Sequence, residues 1–208
     1  MIKALLLIFE PVATWDRVAL ARRGLGFILT TFLLPMILLS AAAEGFGLVR
    51  WGKWHQDPDY LRRFPLGEAV VYEVAQGLLS IAIVLIGAKI LKSLGETFHG
   101  RHTFAQAFTA VAYGLSPMFL LRLFDMFPSV NPWVSWAVGI VLCVTILYQG
   151  VPRVMMPDPP HAFGLYLMSS LLLVFITGLA RFITAWYLAG HFKPVERAIT
   201  AITAWLPF

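Results

Sequence analysis

The residues of this chain whose types could do chemistry fall into two groups. The first centres on "LGETFHGRHTF", residues 94–104, a polar stretch between two long apolar runs that carries His99 and His102. Asp158 and His161 sit in "VPRVMMPDPPH", between two later apolar runs. With five membrane spans, both connections fall on the same side. Three imidazoles and a carboxylate are donors suited to zinc or another divalent cation. Their spacing matches no metal signature, and H-E-x-x-H is absent. The expectation is therefore an ordinary helix connection with no metal and no cofactor. His99, His102, His161 and Asp158 stand as the one metal set to test.

The second group lies within the apolar runs, where a polar side chain is a functional candidate by default. Glu73 and Gln76 are three residues apart, so they share a helix face. Lys89 follows about four turns further along the same run. Glu44 lies in the first run, Arg122 closes the third, and Arg181 lies in the fifth. On one reading Glu73 reaches the interface, Lys89 snorkels to the opposite one, and Arg122 reaches headgroups. On the sharper reading Glu73 and Gln76 form a polar stripe that lines a pathway, with Lys89 and Arg181, or makes a helix–helix contact, and Arg181 pairs with Glu44 or Glu73 inside a bundle or binds a lipid phosphate. The chain has no G-x-S-x-G, no Walker loop and no strand-borne G-x-G-x-x-G, so hydrolase and nucleotide chemistry have no support.

The elements that must position these residues follow from composition. Of 208 residues, 59% are hydrophobic and 13% charged, with mean hydropathy +0.78. Soluble domains sit near about 45–50% apolar and about 25% charged. The solvent that fits this chain is a bilayer. Five apolar runs, 25–49, 69–94, 104–124, 133–151 and 162–189, are long enough to span about 30 Å of hydrocarbon. The predicted fold is all-α: an integral membrane bundle of five transmembrane helices with short amphipathic terminal segments. The expected division is 1–24, an interfacial segment; 25–190, the five-helix domain; and 191–208, a C-terminal amphipathic segment. Trp and Tyr cluster near the ends of the runs, as headgroup-level anchors do. The connections hold helix-breaking Pro and Asp, as in "DPDY" and "FPSVNP". The opening "MIKALLLIFEP" lacks an adjacent A-x-A site and reads as a retained membrane-surface segment rather than a signal peptide.

Net charge is +5. Lys and Arg sit mostly at the ends of apolar runs, which points to anionic lipid headgroups and not to nucleic acid. They divide evenly between the two sides. The Arg22-Arg23 pair before the first run favours a cytoplasmic N-terminus. The one cysteine, Cys143, lies in an apolar run and reads as a packing residue. Small residues four apart, as in Ala41-xxx-Gly45, Ala43-xxx-Gly47 and Ala110-xxx-Gly114, allow helices to approach closely. Pro35 and Pro117 fall inside runs. Each frees a carbonyl four residues earlier, at Thr31 and Tyr113, which then needs another partner. Thr30, Thr31 and Ser116 are the local candidates.

Three stretches together resemble the Yip family, the Ypt/Rab-interacting polytopic membrane proteins, in its bacterial branch. They are "EPVATWDRVA", "LGETFHGRHTFAQAFTAVAYGLSPMFLL" and "LYQGVPRV". The motif positions are Gly100, Phe104, Gln106, Tyr113, Pro117 and Gly150. The resemblance covers nearly the whole chain. It implies a five-span helical fold with a cytosolic N-terminus in the bacterial inner membrane, and no enzymatic activity. In eukaryotic members it implies interaction with Rab-type GTPases. Those members carry a long hydrophilic N-terminal domain, whereas here some two dozen residues precede the first span, so the resemblance implies fold more than an adaptor role.

Three functions are consistent with these features, in descending order. The first is a non-enzymatic membrane scaffold, organiser or complex subunit, assembling with itself or with other membrane proteins in the lipid bilayer. The second is a small-solute or ion transporter using Glu73, Gln76, Lys89 and Arg181, with Pro35 and Pro117 as hinges. The third is a metal-dependent membrane enzyme built on His99, His102 and His161.

Overall fold

Five helices are long and apolar enough to cross a membrane: Leu25–Arg50, Leu66–Thr97, Phe104–Met126, Pro132–Met155 and Pro159–Leu188. The computed structural model describes residues 2–54, 61–98 and 103–192, with 197 and 201. Ahead of the first span come α1 (Ile2–Phe9) and α2 (Pro11–Ala21). The first span itself comprises α3 (Leu25–Ile28), a π turn (Leu29–Leu33) and α4 (Leu34–Arg50). The second is α5 (Leu66–Thr97). The third comprises α6 (Phe104–Gly114), α7 (Ser116–Leu121) and a 3-10 turn (Arg122–Met126). The fourth is α8 (Pro132–Met155). A 3-10 turn (Pro159–His161) leads into α9 (Ala162–Leu188). Between α4 and α5, β1 (Lys53–Trp54) pairs antiparallel with β2 (Leu61–Arg62), with Lys53 opposite Arg62.

The third span is the central one. Of its most apolar stretch 78% is buried, against 28–44% for the other four. Its sequence fits that place, because Ala107, Ala110, Ala112 and Gly114 keep the surface low and let neighbours close in. A Cβ on Gly114 would lie 2.5 Å from Leu147 of α8. Both prolines break their helices locally. Pro35 follows the π turn, where the Leu34 N–H reaches back to Leu29. The hydroxyls of Thr30 and Thr31 donate to Gly26 and Phe27 at 2.8 and 2.6 Å, not to the carbonyl that Pro35 frees. At Pro117 the helix is interrupted, and Ser116 Oγ donates to the freed Tyr113 carbonyl at 2.7 Å.

The connection into the third span is closed by a capping box. Thr103 Oγ1 accepts from the Gln106 N–H, and Gln106 Oε1 accepts from the Thr103 N–H. Gln106 also donates from Nε2 to the Val154 carbonyl at 3.2 Å, serving an orphan acceptor at the end of α8. The N-terminal helices pack on the bundle rather than resting only in the interface. Thr14, Trp15 and Val18 of α2 are buried, as are Ala4 and Leu7 of α1, while Leu5, Phe9 and Leu20 face outward. Trp15 Nε1 donates to the Ile146 carbonyl at 2.9 Å. The Trp15 ring meets Tyr113 edge-on at 6.3 Å, and Tyr113 packs on Phe32 at 4.2 Å. Cys143 is buried. Most of 191–208 lies outside the described residues.

Gly150 is the seat for Trp15: a Cβ there would fall 2.4 Å from the indole ring. Gly150→Ala should destabilise the folded protein by about 1–3 kcal/mol, the usual cost of overpacking. Gly26→Ala, where a Cβ meets nothing within 4 Å, should leave stability unchanged or raised. Thermal unfolding of both variants in detergent reads the difference.

Candidate functional site

The third span ends in a 3-10 turn, in which residues three apart stand over one another. That puts Arg122 and Asp125 on one edge, at the same end of the bundle as the α4–α5 connection. Arg122 reaches to two spans at once. Its Nε donates to Glu44 Oε2 on α4 at 2.6 Å, and its Nη2 to Glu73 Oε2 on α5 at 2.5 Å. Asp125 Oδ2 accepts from Arg181 Nη2 of α9. Arg181 donates further to the Pro132 carbonyl, the first residue of α8, at 2.8 Å from Nη2 and 3.1 Å from Nε. Every span therefore holds one end of this cluster.

Burial is nearly complete. Glu44 is 0% exposed, Asp125 1% and Arg122 8%. Charges so placed are sustained only by close, hydrogen-bonded partners. Two glycines make the approach possible. A Cβ on Gly47 would lie 2.1 Å from the Met126 carbonyl, and one on Gly45 would lie 3.2 Å from Glu73 Cγ. Lys53, from the short β ladder, lies over the cluster and donates to the Phe127 carbonyl at 3.2 Å. Burial pulls its ammonium below the ordinary lysine range, an effect that Asp125 and Glu44 oppose and Arg181 adds to. Three cations, Lys53, Arg122 and Arg181, thus face three carboxylates, Glu44, Glu73 and Asp125.

Beside the cluster lies a cavity of about 70 Å³ between α5, the third span, α8 and α9. Arg122, Asp125 and Ser135 line it, together with Gln76, Ser80 and Thr177. Arg122 Nη1 has no protein partner, and the Ser135 hydroxyl lies beside the Asp125 carboxylate. The space is large enough for ordered water, which would serve these groups. Gln76 Nε2 donates to the Tyr72 hydroxyl at 2.5 Å, and Tyr72 stacks on Tyr187 at 5.5 Å.

The structure gathers Glu44, Glu73, Gln76 and Arg181 at one end of the bundle. It does not place the four pathway candidates on one path. Gln76 and Arg181 line the cavity, Glu73 lies across Arg122 from it, and Lys89 is exposed further along α5. Arg122 is turned inward, away from the headgroups it was expected to reach. The partner of Arg181 is Asp125, not Glu44 or Glu73. Asp125 and Lys53 escaped the sequence reading, although Arg122-x-x-Asp125 in "RLFDM" carries the spacing that joins them. Among the described residues no group of three metal-ligating side chains converges. His161 packs near Phe98 at 6.2 Å, next to the turn begun by Asp158. His99, Gly100 and His102 lie outside the described residues.

Removing Arg122 leaves two buried carboxylates facing each other. Arg122→Gln should cost about 3–5 kcal/mol of stability. Arg122→Lys should not restore it, because a point charge cannot replace the two-pronged guanidinium. Adding Glu44→Gln to Arg122→Gln should recover part of the loss, with a coupling of about 0.5–3 kcal/mol in a double-mutant cycle of unfolding midpoints.

The Yip1 domain family matches residues 5–191 of the chain. No curated protein and no solved structure matches it. A family match over nearly the whole length, on a bundle of five apolar helices, makes this chain an integral membrane protein that belongs to the Yip family.

Proposed function

We propose that the protein is a non-enzymatic membrane scaffold: an organiser, or a subunit of a membrane complex, of the bacterial branch of the family. The observation that carries this reading is the ionic cluster. Arg122 and Arg181 are committed to carboxylates and carbonyls of neighbouring helices, so these charges hold the bundle together. The family is not known as enzymatic. The outer face supplies surface for lipid or for helices of other subunits. Phe46, Leu78, Val141 and Phe175 are each more than half exposed there. The reading includes a bacterial inner-membrane location with the N-terminus cytoplasmic. The Arg22-Arg23 pair ahead of the first span supports that orientation.

A transporter has one observation in its favour, the cavity lined by Gln76 and Arg181. The two readings separate experimentally. Purified from its native membrane in mild detergent, a scaffold gives a discrete oligomer or a reproducible membrane-protein partner. In liposomes it gives no more solute flux than empty vesicles. A lone monomer with no co-purifying protein overturns the scaffold reading. Flux that Arg181→Gln abolishes moves the assignment to transport.

A further inference from the structure

At the opposite end of the bundle from the ionic cluster, an open cleft of about 910 Å³ lies between α2, the start of α6 and the end of α8. That size falls within the range of about 300–1,000 Å³ typical of ligand sites. Arg22, Arg23 and Arg153 line it, against one carboxylate, Asp16. Arg153 is committed: its Nε donates to Asp16 at 2.9 Å and its Nη1 to the Gln149 side chain at 2.7 Å. Neither Arg22 nor Arg23 has a carboxylate partner among the described residues. The cleft therefore carries two uncompensated positive charges. The Arg23 guanidinium lies over the Phe27 ring at 4.3 Å, which holds its plane and leaves its N–H edge for an acceptor.

A second feature marks the same place. Among the described residues two non-glycine residues have left-handed backbone, Arg22 at φ 41 and Met156 at φ 46. Both line this cleft. They cap α2 and α8, at positions where glycine is the easy choice. Side chains that keep such conformations gather at functional sites. The first turn of α6 also opens on the cleft through Ala105 and Gln106, and a helix start favours negative charge.

We propose that this cleft binds the phosphate headgroup of an anionic phospholipid, held by Arg22 and Arg23. Its position selects a lipid over a soluble phosphate. It sits where the first and third spans begin and the fourth ends, at headgroup level. Its walls mix the arginines with apolar Val18, Ala19 and Val154, and Leu20 and Met156 are exposed at its edge. A free anion needs only the cations; a diacyl lipid uses both kinds of wall. The site is independent of whether the bundle assembles as a scaffold.

The test uses the full chain in neutral detergent, titrated with phosphatidylglycerol or phosphatidylcholine, with bound lipid read by native mass spectrometry. Phosphatidylglycerol should be retained over phosphatidylcholine. At about 1 kcal/mol per basic residue, removing one arginine should weaken retention about fivefold, and Arg22→Gln with Arg23→Gln about thirtyfold. Arg22→Gly should show the same fivefold loss of retention while keeping its unfolding temperature, since glycine suits the left-handed position. Arg50→Gln with Arg63→Gln, at the other end of the bundle, removes the same charge and should leave retention unchanged. Equal loss in that pair, or full retention in the Arg22 and Arg23 variants, overturns the site. Displacement of the lipid by free glycerol phosphate at equal concentration overturns a lipid as its occupant.

Discussion

A guanidinium buried at the end of a transmembrane helix organises this protein. Arg122 is almost wholly removed from bulk water, so its charge has to be met inside the bundle. Two carboxylates from two other spans meet it. One 3-10 turn later, Asp125 does the reverse and draws in Arg181, which in turn holds the first carbonyl of the fourth span. Between apolar helices in lipid there is little hydrophobic preference for one arrangement over another. A directional ionic network supplies that preference. It favours the neighbours and the helix rotations that bring each charge to its partner.

The network also explains local choices that look arbitrary in isolation. Gly47 lies where the α4 backbone passes over the Met126 carbonyl, and Gly45 lies against the Glu73 side chain. Larger residues there would push Glu44 and Glu73 away from Arg122. The end of the third span tightens into a 3-10 turn, which aligns Arg122 with Asp125. Lys53 covers the cluster from the short β ladder and donates to the Phe127 carbonyl.

The other end of the bundle is held by different means. Trp15 hangs α2 on α8 through one hydrogen bond and the hollow at Gly150, and it reaches the first and third spans through Tyr113 and Phe32. Gln106 joins the third span to the end of the fourth. Apart from the Arg153–Asp16 pair these contacts are aromatic and neutral, and Arg22 and Arg23 keep their charge without a carboxylate partner among the described residues. The two ends thus divide the labour: charge closed inward at one, charge offered outward at the other.

Much of this was legible in residue order alone. Apolar length predicts the spans to within a few residues, because the cost of exposing backbone in lipid leaves only helices of bilayer length. Local chemistry was also readable in the Ser116 hydroxyl that serves the carbonyl freed by Pro117. So was the resemblance carried by Gln106, Tyr113, Pro117 and Gly150, although not the physical work of Gly150 as the hollow for an indole 135 positions away. Sequence marked Glu44, Glu73 and Arg181 as charges out of place in lipid but left their partners open, and it did not name Asp125 among them. It also sent Arg122 to the headgroups. Pairing between spans depends on helix rotation and on the pitch of one turn, and neither is written in a local stretch of sequence. Membership of the bilayer was settled by composition, since a chain this apolar has no other solvent. Which charges meet was settled only by tertiary structure, where burial made each partner compulsory.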